Sequence, residues 1–122
     1  MTIEEINLAV ATIAGWTEIE PWYSSGSFPD ILKGTNAAHP ELGIFIPKYT
    51  ESLDAIYGLM HNILAKLNAT FTLQYLCTES RFSARAMGQL TYADTPALAL
   101  CKLLIKINPA LIAPPVFEAE FV

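Results

Sequence analysis

The sequence predicts an α+β fold, a small antiparallel sheet packed with about three helices in the order α-β-loop/β-α-β-β-α, followed by an extended C-terminal tail. Three observations carry this. Apolar residues recur at helical spacing in three separate stretches. Between the second and third the period changes to two, as in a half-buried hairpin. The length of 122 residues matches one domain of roughly 100–150 residues. Residues 1–122 are therefore read as a single domain, with 20–48 a long loop or lid and 109–122 an extended tail.

The first helix is placed near residues 2–14. Thr2 and Glu5 form a capping box, Ile3, Ile6, Val10 and Ile13 make one face, and Gly15 closes it. Trp16 to Glu20 reads as a short strand. From 20 to 48, Pro21, Pro29, Pro40 and Pro47 with Gly26, Gly34 and Gly43 exclude a long regular element. Trp22, Tyr23 and Phe28 argue for a folded lid or arm, with LGIFIP (42–47) as a strand inside it. Thr50 is expected to cap the second helix, whose face is Leu53, Ile56, Tyr57, Met60, Ile63, Leu64 and Leu67.

Phe71, Leu73, Tyr75 and Cys77 then alternate with polar residues and, after a turn near 78–80, a second strand runs from 81 to 92. It places Phe82, Ala84, Ala86, Gly88, Leu90 and Tyr92 on one face and Arg81, Ser83, Arg85, Gln89 and Thr91 on the other, with Met87 the exception. Asp94-Thr95-Pro96 starts the last helix, with Thr95 as cap and proline at the first position. That helix is apolar nearly all round apart from Lys102 and Lys106, so it must be covered on more than one side. Asn108-Pro109 is expected to end it.

Hydrophobic residues make up 52% of the chain and charged ones 16%, below the usual quarter or so, which calls for an unusually large core or a second copy covering apolar surface. The last helix and the tail are the expected subunit interface. A net charge of −5 excludes a general DNA or RNA binder. No apolar run is long enough for a membrane span, and the acidic start is unlike a secretory signal, so a cytoplasmic location is expected. Cys77 and Cys101 read as buried reduced thiols.

Charge is unevenly distributed. Residues 81–106 hold Arg81, Arg85, Lys102 and Lys106 against Asp94, a local +3. Arg81, Ser83 and Arg85 share a strand face over roughly 13 Å at about 3.3 Å per residue, a length that suits two phosphates. The plainer explanation is a solvated strand face. The helix starts at Thr50-Glu51-Ser52 and Thr95-Pro96 offer amides and hydroxyls to an anion, although capping is their commoner use. Trp16, Tyr49, Phe82 and Tyr92 lie beside these places and are able to stack on a base, or simply to pack. His39 and His61 have no partner at a recognised spacing, and no metal or cofactor site is expected. Asp54 and Asp94 are the only candidate general bases, and no catalytic motif accompanies them.

Gly15-Trp16 closing an acidic first helix, YTESLDAIYGL (49–59) and ADTPALALCKLLIKI (93–107) together resemble the phage ABA-sandwich domain, and within it the Thoeris anti-defence family of the first type, the phage sponge proteins. Residues 20–41 and the tail lie outside this resemblance. It implies a non-enzymatic protein that sequesters cyclic ADP-ribose isomers made by bacterial TIR enzymes, without cleaving them. It also implies a homodimer or hexamer, with cyclic oligonucleotides at a second site in some members. Arg81, Phe82 and Arg85 carry over as ligand-binding candidates, beside Trp16, Tyr49, Thr50, Ser52, Tyr92, Asp94 and Thr95 from the residue-level reading. The alternatives are a nucleotide hydrolase using Asp54 or Asp94, and a phage adaptor that binds a host protein through the tail and last helix.

Overall fold

The computed structural model describes residues 2–21, 32–37 and 40–112. The expected lid aromatics Trp22, Tyr23 and Phe28, His39, and the tail beyond residue 112 lie outside the described residues. The fold is α+β with element order α-β-β-α-β-β-β-α: α1 (Ile3–Ile13), β1 (Thr17–Pro21), β2 (Leu32–Thr35), α2 (Leu53–Lys66), β3 (Phe71–Leu76), β4 (Arg81–Ala86), β5 (Gln89–Ala93) and α3 (Pro96–Ile112). A short 3-10 turn occupies Pro40–Leu42.

Helix ends follow from local chemistry. Thr2 and Glu5 form the expected reciprocal cap of α1. At its other end Gly15 adopts φ +97°, and the amides of Gly15 and Trp16 donate back to the carbonyls of Thr12 and Ala11, a Schellman closure. The end of α2 repeats this with Asn68 at φ +54°, its amide and that of Ala69 bonding to Ala65 and Leu64. The cap of α2 is Ser52, which accepts from the amide of Ala55, and not Thr50 as expected. Thr50 is buried one turn earlier, held by its amide donating to Asn7 Oδ1.

Three further expectations are corrected. The 20–48 stretch contains β2, paired antiparallel with β1 across a bulge, and LGIFIP contributes only a bridge from Phe45 to Lys33. Gly34, read as a breaker, is there because a Cβ would approach the Thr17 carbonyl to 2.8 Å. The expected strand 81–92 is two strands joined at Met87 (φ +49°) and Gly88 (φ +78°), a two-residue turn of the type that hairpin twist favours. That turn reverses the parity: Thr91 pairs with Ala84 on the core face, and Tyr92 pairs with Ser83 on the arginine face. Finally, the backbone of α3 continues helical through Pro109 to Ile112.

The sheet order is β3-β4-β5. α3 lies against β4 and β5 and is packed on its other sides by α1 and α2. Ala97, Ala99, Leu100, Cys101, Leu103, Leu104 and Ile107 are all buried within this one chain, so the apolar helix is internal core and not the subunit interface that its composition suggested. Thr91, on the core face of β5, satisfies its hydroxyl by donating to the Ala99 carbonyl. Of the two cysteines, Cys101 is buried as expected and Cys77 is exposed in the turn after β3.

Leu104 is fully enclosed. Leu104→Ala is expected to lower unfolding free energy by about 2–5 kcal/mol, and Thr2→Ala, at an exposed cap, by about 1 kcal/mol. Urea denaturation with an unchanged slope would measure both.

Candidate functional site

The structure sorts the ten candidate residues into groups. Arg81, Tyr92 and Asp94 come together with Ala93, Leu98 and Lys102 around a cleft of about 210 Å³ at the β5 edge. Register explains the meeting of Arg81 and Tyr92: both lie on the sheet face turned away from α3. The Arg81 guanidinium sits 4.0 Å above the centre of the Tyr92 ring, a cation–π contact, and also pairs with Glu79. Its Nε is buried without an acceptor. Thr95, beside the cleft, caps α3 by accepting from the amide of Leu98.

Lys102 is a site residue that sequence reasoning left out. Its ammonium donates to the Tyr92 carbonyl at 3.2 Å, and Lys106 donates to the Leu90 carbonyl at 3.2 Å. The signal was visible: two lysines at i, i+4 on an otherwise apolar helix need a polar row opposite them, and the outward carbonyls of an edge strand supply it.

Arg85 lies on the same sheet face as Arg81 but outside the cleft, exposed. Phe82 is on the opposite face, tilted against Tyr75 with ring centroids 4.9 Å apart and packed on the core. It is not brought to the cleft.

Trp16, Tyr49, Thr50 and Ser52 form a separate group at the junction of α1 and α2. Trp16 and Tyr49 are buried, and the indole Nε1 donates to the Tyr49 hydroxyl at 3.1 Å. This joins the turn after α1 to the turn before α2, a structural role. Thr50 Oγ1 is buried without a partner. Tyr49 also lines a groove of about 520 Å³ between the end of α1 and α2, with Asn36, Asn62 and Lys66 among its walls. Asp54 is exposed in the first turn of α2, away from both. His61 is exposed, as expected.

Among the described residues no cluster of three or more His, Cys, Asp or Glu forms a metal site, and no helix is long and apolar enough to cross a membrane.

Two buried groups, Cys101 of α3 and Tyr49 hydrogen-bonded to Trp16, give the fold an alkaline limit. Burial pushes the Cys101 thiol from 9.0 up to about 12. Burial also raises Tyr49 above its ordinary 10.0, against the opposing hydrogen bond from Trp16. In both, the unfolded chain loses its proton first. Stability is therefore full below about pH 9 and falls as pH rises toward about 12, Cys101 acting first and Tyr49 adding to the fall above its unfolded value. Urea unfolding between pH 8 and 11 is expected to show this decline, and Cys101→Ala to flatten it.

No protein-family model, curated protein or solved structure was found to match this chain.

Proposed function

We propose that this protein binds and sequesters a small cyclic nucleotide of the cyclic ADP-ribose type without cleaving it, and so acts as a phage protein that suppresses TIR-based Thoeris immunity in the bacterial cytoplasm. The observation that carries the binding part is the cleft in which the Arg81 guanidinium, stacked on Tyr92, lies beside Lys102. Planar guanidinium matches a phosphate bidentately and offers its flat face to a base. Lys102 keeps its positive charge while bonded to a neutral carbonyl, so it still contributes to the field that an incoming diphosphate meets. The choice of nucleotide rests on the resemblance of residues 15–16, 49–59 and 93–107 to the sponge family.

The cleft, about 210 Å³, is smaller than the roughly 300–1,000 Å³ of sites that enclose a whole ligand. It suits a diphosphate with an attached ribose, for which Asp94 offers an acceptor to hydroxyls. The rest of the ligand would extend over the outer sheet face toward Ser83 and Arg85. Asp94 in the same cleft is also the observation that favours a hydrolase, whereas Asp54 is exposed and, among the described residues, makes no ion pair. The adaptor reading loses the last helix, which is internal, and retains only the tail.

Native mass spectrometry and calorimetry with cyclic ADP-ribose isomers test the proposal. One ligand per cleft is expected, released with unchanged mass on heating; a cleaved product would instead support hydrolysis through Asp94. Arg81→Ala is expected to weaken binding at least about tenfold, close to the 1.4 kcal/mol or more of a lost charge-assisted contact, and exposed Arg85→Ala less. Equal affinity in Arg81→Ala and the native chain would remove the cleft from the site.

A further inference from the structure

The two edges of the three-stranded sheet are built differently. Along β5, Lys102 and Lys106 donate to the carbonyls of Tyr92 and Leu90. Four residues of helix advance about 6 Å and two residues of strand about 6.6 Å, so the two spacings match and the lysines of α3 reach successive outward carbonyls of that edge. Among the described residues, no side chain bonds the outer edge of β3 in this way. The β3 sequence FTLQYL contains no charge, no proline and no glycine, the devices by which edges normally avoid pairing.

The hydrogen-bond phase of this open edge follows from the closed one. The carbonyls of Leu90 and Tyr92 point outward, so Gln89, Thr91 and Ala93 bond inward, to Ala86, Ala84 and Phe82. Alternation then turns Arg81, Ser83 and Arg85 toward β3, opposite Leu76, Gln74 and Thr72. The backbone groups of Phe71, Leu73 and Tyr75 are left pointing away from the sheet.

We propose that this edge pairs with β3 of a second copy, antiparallel about a two-fold axis at Leu73, to give a continuous six-stranded sheet. Three features select a second copy over another strand. A two-fold at Leu73 preserves both the face of each side chain and the hydrogen-bond phase, which a shift by one residue would break. The same register sets Phe71 opposite the partner's Tyr75, and Tyr75 opposite the partner's Phe71, as cross-strand aromatic pairs. These rings already end two intrachain contacts, Tyr57 with Phe71 at 5.2 Å and Tyr75 with Phe82 at 4.9 Å, and Tyr57 and Tyr75 remain 51% and 49% exposed. The pairing joins the two contacts into one apolar seam. Because the lysines occupy the β5 edge, the sheet closes at two copies and does not grow. The seam lies on the opposite edge from the Arg81–Tyr92 cleft and does not depend on the nucleotide reading.

Size-exclusion chromatography with light scattering is expected to give twice the 13.4 kDa chain mass. Hydrogen exchange on the native chain is expected to find the amides of Phe71, Leu73 and Tyr75 protected. Tyr75→Lys places charge in the seam and is expected to give a monomer with unchanged circular dichroism and rapid exchange at Leu73. Should that variant fold poorly, Leu73→Cys in a Cys77→Ser background tests the register directly, because the paired Cα atoms would lie about 5.5 Å apart and crosslink on mild oxidation. A native monomer, fast exchange at Leu73 in the native chain, or a dimer in which Leu73→Cys does not crosslink would overturn the proposal.

Discussion

The burial of α3 on all sides but the one that carries Lys102 and Lys106 is the constraint on which the rest of this structure depends. A helix apolar nearly all round has only a narrow solvent face, so the chain must supply two opposed surfaces for it. The sheet supplies one with Ala84, Ala86 and Ala93, small enough for the helix to approach closely, and Thr91 fixes the approach by bonding to the Ala99 carbonyl. α1 and α2 supply the other through Ile6, Val10, Ile56, Met60 and Leu64. Burying such side chains contributes roughly 1.5–3 kcal/mol each before entropy is charged against it, which is how a chain this short holds three helices and a sheet together. The low proportion of charged residues is thus explained largely from within.

What the sequence made legible depended on how local the cause was. The caps at Thr2-Glu5 and Thr95-Pro96 and the stop at Gly15 involve groups within a few residues of one another, and all three stand in the structure. β2 was hidden because its glycine is required by a carbonyl seventeen residues away, at Thr17, and nothing beside Gly34 announces that. Thr50 and Ser52 are equivalent as caps by type. What separates them is Asn7, on another helix, which holds the Thr50 amide.

The hairpin shows how one local error propagates into the candidate site. Met87 stood out as the apolar residue on a polar face, and with Gly88 it marks the turn that divides the supposed single strand. A two-residue turn returns the chain with its parity reversed, so Tyr92 leaves the core face and meets Arg81. The arginine row was readable from spacing alone. Its aromatic partner was not, because that depended on the turn. Phe82 failed as a site residue for the complementary reason: its strand parity was read correctly, and that parity turns it toward the core.

The cations then explain where a ligand has room to act. Lys33 pairs with Glu20, Lys48 with Glu51 and Arg81 with Glu79, while Lys102 and Lys106 hold carbonyls of β5. Bonds to carbonyls satisfy donors without cancelling charge. Among the described residues, Glu79 pairs with Arg81 and Asp94 shares the cleft with Arg81 and Lys102, while the two lysines keep their charge where α3 meets β5. An acidic protein can in this way disfavour an extended polyanion, which meets much of its surface, and still present cations to a small anion at the edge of the sheet, because salt screens exposed charges more than about 10 Å away. Lys102 and Lys106 both bond outward carbonyls of β5, and Lys102 also lines the cleft, so one side chain holds the strand edge and brings positive charge to the place where an anion would enter.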